Sequence, residues 1–132
     1  MGGGLALTYA ASSPPGLRAA AVNYGQVPAD AEQLRGMCPV VASYGGRDRV
    51  LGAQGERLHE HLTQLGIEHD VKTYPSAGHS FMTTGHHPMG RLVYLPMRLG
   101  YESRAAEDAW ARVFAFFEGH IEPSDRSGQA RE

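Results

Sequence analysis

The 132-residue chain has 42% hydrophobic and 20% charged residues and a formal charge of −2. That balance is ordinary for one globular domain and gives no electrostatic case for binding nucleic acid or an anionic membrane. No apolar run approaches the roughly 18–20 residues of a membrane span, and the single cysteine, Cys38, cannot form an internal disulfide and fits a reducing, cytoplasmic compartment.

At the N-terminus, Met1-Gly2-Gly3-Gly4-Leu5-Ala6-Leu7 has no basic residue before Arg18 and places Ala6 where myristoylation wants Ser or Thr, so neither targeting signal is expected. Gly2 to Ser13 reads as a helix stopped by Pro14-Pro15-Gly16. Three glycines are a poor helix start, at about 1 kcal/mol each relative to Ala. Close approach of another backbone would explain them. Ala19 to Tyr24 is a short apolar run closed by Gly25, the pattern of a buried parallel strand. A short helical piece follows from about Asp30 to Arg35, ended by Gly36.

Pro39 to Tyr44 is the clearest strand, continuous and mostly apolar with its proline confined to the first position. Gly45-Gly46 breaks it and Asp48 follows. Between Ala53 and Leu65, Leu58, Leu62 and Leu65 recur at helical spacing, with Gly66 at the C-cap position. From Ile67 to Tyr74, Glu68, Asp70 and Lys72 share one face and Ile67, Val71 and Thr73 the other, which predicts a half-exposed strand near a sheet edge. Ser80 to Gly100 carries Gly85, Pro88, Gly90 and Pro96 and is expected to be a long irregular loop. Ser103 is the expected N-cap of a final helix whose Ala106, Ala109, Trp110, Val113, Phe114 and Phe117 form an apolar stripe read as core packing. Residues 123–132 read as a disordered tail. Alternating strand and helix signals predict an α/β fold with a parallel sheet.

Two polar residues sit where chemistry belongs in such a sheet. Asp48 follows one strand in Gly45-Gly46-Arg47-Asp48, and His79 follows the next in Tyr74-Pro75-Ser76-Ala77-Gly78-His79-Ser80-Phe81. A histidine can serve as general base when a carboxylate fixes its tautomer, and Asp then His is the order of two members of a nucleophile–His–acid triad. A turn aspartate that bonds only its own backbone is the plain alternative. No metal site is expected: His59 and His61 lie two apart on a helix and point to different faces, and His86 and His87 have no spaced partner pair. Cys38 precedes a strand at its N-terminal end, away from the carboxyl ends where ligands bind, and reads as an inert thiol.

Gly2-Gly3-Gly4, Gly45-Gly46-Arg47-Asp48, the Tyr74 to Phe81 segment and Ala105-Ala106-Glu107-Asp108-Ala109-Trp110 together resemble the dienelactone hydrolase family of α/β-hydrolases, over residues 1 to about 121. The resemblance implies a partial α/β-hydrolase fold over residues 1–122, with about three parallel strands, flanking helices and the N-terminal half of the sheet missing. It implies a nucleophile, Cys or Ser, in a Gly-x-Cys-x-Gly-Gly turn immediately before Met1, hence absent from this chain, with the Met1 backbone N–H as an oxyanion donor. Asp48 and His79 would complete the triad. The implied activity is hydrolysis of a small carboxylic ester or lactone without a cofactor, and a chain beginning just after the nucleophile position is expected to be inactive alone. The family's dienelactone-cleaving members place an arginine shortly after the histidine; here Phe81-Met82-Thr83-Thr84 follow Ser80 and no arginine comes until Arg91, which points away from dienelactone itself. The alternatives are a non-catalytic interaction fragment and the C-terminal half of another α/β-hydrolase, such as a serine esterase or peptidase. An unpartnered Ala19–Tyr24 edge would favour self-association.

Overall fold

A computed structural model describes residues 2–121; the oxyanion donor assigned to Met1 and the tail expected over residues 123–132 lie outside the described residues. Three strands form one parallel sheet in the order β1 (Ala20–Asn23), β2 (Val40–Gly45), β3 (His69–Tyr74). Among the described residues four α-helices accompany it: α1 (Gly2–Ala11), α2 (Gln54–Gln64), α3 (Pro88–Val93) and α4 (Ser103–His120). The chain thus has the α/β architecture of a partial α/β-hydrolase fold.

β2 is central, and every one of its residues is buried. Its side chains alternate between two layers, as a strand requires. Val40, Ala42 and Tyr44 pack with Leu7 and Ala10 of α1, Leu58 and Leu62 of α2, and Val22 of β1. Ser43, on the opposite face, meets Arg112 of α4. A continuous apolar run is what a strand covered on both faces needs.

The three glycines at the head of α1 are explained by backbone contact. A Cβ on Gly3 would overlap the Asn23 carbonyl and lie 2.8 Å from the Gly25 nitrogen, and one on Gly25 would lie 2.6 Å from the Gly3 carbonyl carbon. Only glycine lets the helix start and the end of β1 approach this closely. β1 pairs with β2 alone, so its other edge has no strand partner among the described residues.

β3 lies at the other edge, as its alternation predicts. Its charged face is engaged rather than open: Arg112 donates to both carboxylate oxygens of Asp70 (3.0 and 2.7 Å), and Lys72 pairs with Asp108 of α4 at 2.7 Å. Arg112 also reaches the Ser43 hydroxyl, the Ala42 carbonyl and the Tyr74 hydroxyl, which clasps α4 across β2 and β3.

Three local expectations are corrected. The cap of α4 is Glu102, whose carboxylate accepts from the Ala105 N–H at 2.6 Å, so Ser103 is already inside the helix. Trp110 and Phe114 are 46% and 60% exposed and stack on each other, while Ala105, Ala106, Ala109 and Val113 make the buried stripe. The apolar arc of α4 is wider than its contact with the sheet, and the small residues occupy that contact. The stretch from Ser80 to Gly100 is not wholly irregular: α3 is capped by the His87 side chain, which accepts from the Met89 N–H, and Pro88 stands in its first turn. A 3-10 turn over Leu95–Met97 follows.

Candidate active site

Tyr24, Asp48 and His79 all lie just past the carboxyl ends of β1, β2 and β3, where open parallel sheets place their ligands. The structure brings the two residues singled out from the sequence together. His79 Nδ1 and Asp48 Oδ2 are 2.8 Å apart, and both residues are buried. The other Asp48 oxygen accepts from the backbone N–H groups of Val50 (2.9 Å) and Leu51 (3.0 Å). The carboxylate is therefore held by the turn after β2 and has one oxygen left for the imidazole. A turn aspartate bonding its own backbone and a carboxylate orienting a histidine are here the same residue.

His79 is positioned by its backbone as well. Its N–H donates to the Met97 carbonyl at 2.8 Å, and the Arg49 N–H, one residue past Asp48, donates to the Pro96 carbonyl at 2.9 Å. One short segment thereby ties the two loops together. Gly78 makes the fit possible, because a Cβ there would overlap the Arg98 carbonyl. With Nδ1 engaged by Asp48, Nε2 has no hydrogen-bond partner among the described residues.

Tyr24 is the neighbour that motif reading misses. Its ring lies 5.1 Å from that of His79 and 5.6 Å from that of Phe81, between centroids. Its backbone is left-handed, φ 47°, an uncommon conformation for a residue with a large side chain. Burial pushes its phenol pKa up, offset in part by hydrogen bonds from Thr83 and the Met82 backbone. A tyrosine closing an apolar run just before glycine was the available signal.

No hydroxyl or thiol among the described residues hydrogen-bonds His79. Cys38 lies before the start of β2, at the opposite end of the strand from Asp48, and burial raises its thiol pKa. Ser43 is fully buried and bonded to Arg112. Among the described residues no cluster of three or more His, Cys, Asp and Glu is placed to hold a metal ion. His59 meets His69 at 2.9 Å, whereas His61 faces the Pro28 carbonyl at 3.1 Å. No described helix is long and apolar enough to cross a membrane.

The profile of the dienelactone hydrolase family matches residues 1–121. A protein of Yersinia pestis is 28% identical over 130 residues, which cover 90% of this chain and 44% of the relative. One of Saccharolobus solfataricus is 32% identical over 117 residues, 88% of this chain and 40% of the relative. One of Escherichia coli K12 is 28% identical over 129 residues, covering 88% and 42%. All three bear the name "Putative carboxymethylenebutenolidase". The chain spans less than half the length of these curated relatives.

Proposed function

The chain belongs to the dienelactone hydrolase family, and on that premise we propose that it carries the acid–histidine half of a site that hydrolyses a carboxylic ester or lactone. The observation that supports this reading most is the buried His79–Asp48 contact, with the second Asp48 oxygen locked by two backbone N–H groups. An Nδ1–H donated to Asp48 leaves Nε2 unprotonated, the form that can take a proton.

The nucleophile, a Cys or Ser, is proposed to stand immediately before Met1 in the complete enzyme. The close packing of Gly3 on Asn23 and Gly25 supports this, because a nucleophile turn needs small residues where strand and helix meet. His79 Nε2 takes the proton of the nucleophile as it attacks the substrate carbonyl. The resulting oxyanion is met by the backbone N–H of Met1. His79 then gives the proton to the departing alkoxide, which leaves as an alcohol. A water, deprotonated by His79 in turn, attacks the acyl carbonyl; the bond to the nucleophile breaks, His79 returns the proton to the nucleophile, and the carboxylic acid is released. Asp48 stays ionised throughout and stabilises the imidazolium.

On this reading the 132-residue chain alone does not hydrolyse esters, and the protein extended upstream through the nucleophile turn does. The test is mass spectrometry of both proteins after mixing with an activated ester. The extended protein should gain one acyl group on the residue before Met1 and the 132-residue chain none. Turnover by the 132-residue chain that disappears in His79→Ala would instead place the nucleophile among its own residues.

A further inference from the structure

Beyond the proposed hydrolysis, we propose that the protein binds a compact oxyanion, a carboxylate or phosphate group, in a pocket lined by Arg47, Arg91 and Arg98. These arginines come from three separate segments, the turn after β2, α3 and the turn that follows the Leu95–Met97 3-10 helix, yet they line one cavity of about 320 Å³. Ser76 and Tyr101 line the same cavity. Asp48 and His79 do not line it.

The pocket is net positive, with three arginines against the single carboxylate of Glu102. None of the three guanidinium groups forms an ion pair with a carboxylate among the described residues, although Arg35 and Arg112 both do. The one acidic residue of the lining, Glu102, is committed as the cap of α4 through its 2.6 Å bond to the Ala105 N–H. Like charges facing one cavity repel, and an oxyanion that accepts several charge-assisted hydrogen bonds relieves that repulsion. Guanidinium groups suit planar carboxylates and phosphates, which they can grip with two parallel N–H bonds.

The position of the pocket gives such binding a consequence. Arg98 holds a left-handed backbone, φ 53°, at the end of the turn whose Met97 carbonyl receives the His79 N–H and whose Pro96 carbonyl receives the Arg49 N–H. An anion bridging Arg47, Arg91 and Arg98 therefore fastens α3 and that turn onto the loops carrying Asp48 and His79. The bound anion is a positioning ligand for this pair and needs no contact with the imidazole.

The experiment is titration of the 132-residue chain, by calorimetry and by amide NMR, with inorganic phosphate and with monoethyl succinate. Saturable binding is expected, with amide shifts concentrated at residues 47, 76–78 and 98–101. Arg47→Gln/Arg91→Gln should weaken it at least about tenfold, the scale of one lost charge-assisted bond, and Arg18→Gln, an exposed arginine elsewhere, should not change it. Phosphate binding as tightly as the monoester indicates a site for a free anion. A monoester preference of about tenfold or more indicates an anionic group carried by an ester. Absence of saturable binding, shifts spread evenly over the surface, or equal loss in Arg18→Gln would overturn the proposal. The NMR map of the unaltered chain decides the matter even where a double variant does not fold.

Discussion

The carbonyl of Arg98 lies against the α-carbon of Gly78 so closely that no side chain fits between them. This contact sets the height at which the Met97 carbonyl meets the His79 N–H. Gly78→Ala forces the two backbones apart, and neither can yield as a flexible side chain would. The expected cost is about 1–3 kcal/mol, the range for overpacking. Urea unfolding should show the midpoint falling, and NMR should show the His79 amide losing its protection from exchange. A variant as stable as the parent, with that amide still protected, would mean the segment after Leu95 is not fastened to His79.

Arg112 is the second structural dependency. It makes six hydrogen bonds to Asp70, Ala42, Ser43 and Tyr74. Arg112→Met keeps the apolar stem and leaves the buried Ser43 hydroxyl without that partner. Asp70 is half exposed and can be rehydrated, which holds the loss to about 2 kcal/mol rather than the larger cost of orphaning a fully buried charge. Urea midpoints measure it, and an unchanged midpoint would show that α4 is held by its apolar face alone.

Much of this organisation was legible in the residues and some was not. β2 announces itself because a strand buried on both faces must be apolar throughout. The turns after β2 and β3 were readable because Gly, Pro and small residues have few other uses there. Arg112 was not readable, since Ser43, Asp70 and Tyr74 lie 69, 42 and 38 residues away and no local pattern links them. Trp110 and Phe114 were misplaced for a related reason. Periodicity gives the apolar arc of α4, but only the sheet decides which part of that arc is covered. The cap at Glu102 was missed because Ser103 satisfies the common preference one residue later.

A pH dependence follows from His120, near the end of α4. Its Nδ1 donates to the Phe116 carbonyl (2.7 Å) and its Nε2 faces the Glu68 carboxylate (3.1 Å). Both raise its pKa above the ordinary value, the backbone bond more. A raised folded-state pKa means the contribution is complete below the unfolded value of 6.5 and is lost as pH rises through the folded value. The stability difference between the parent and His120→Gln should therefore shrink from about pH 6 to about pH 9. A difference constant over that range would show that His120 is not protonated in its site.

The open edge of β1 leads to a further expectation. An apolar strand without a partner on one side is a template for pairing. The 132-residue chain should associate reversibly with itself, seen by sedimentation as a concentration-dependent shift toward dimer. Ala21→Pro, which removes a backbone donor within β1, should weaken the association. A monomer at every concentration would mean the edge is adequately covered by other means.

The proposed role of His79 can be measured most directly in the protein extended upstream through the proposed nucleophile turn, by comparing hydrolysis of an activated ester in the parent, His79→Ala and Asp48→Asn. His79→Ala should lower kcat/KM by about 10³-fold or more, and Asp48→Asn should lower it markedly because the imidazole then loses the acceptor that fixes its tautomer. Rates unchanged in both variants would contradict the assignment of the His79–Asp48 contact to catalysis.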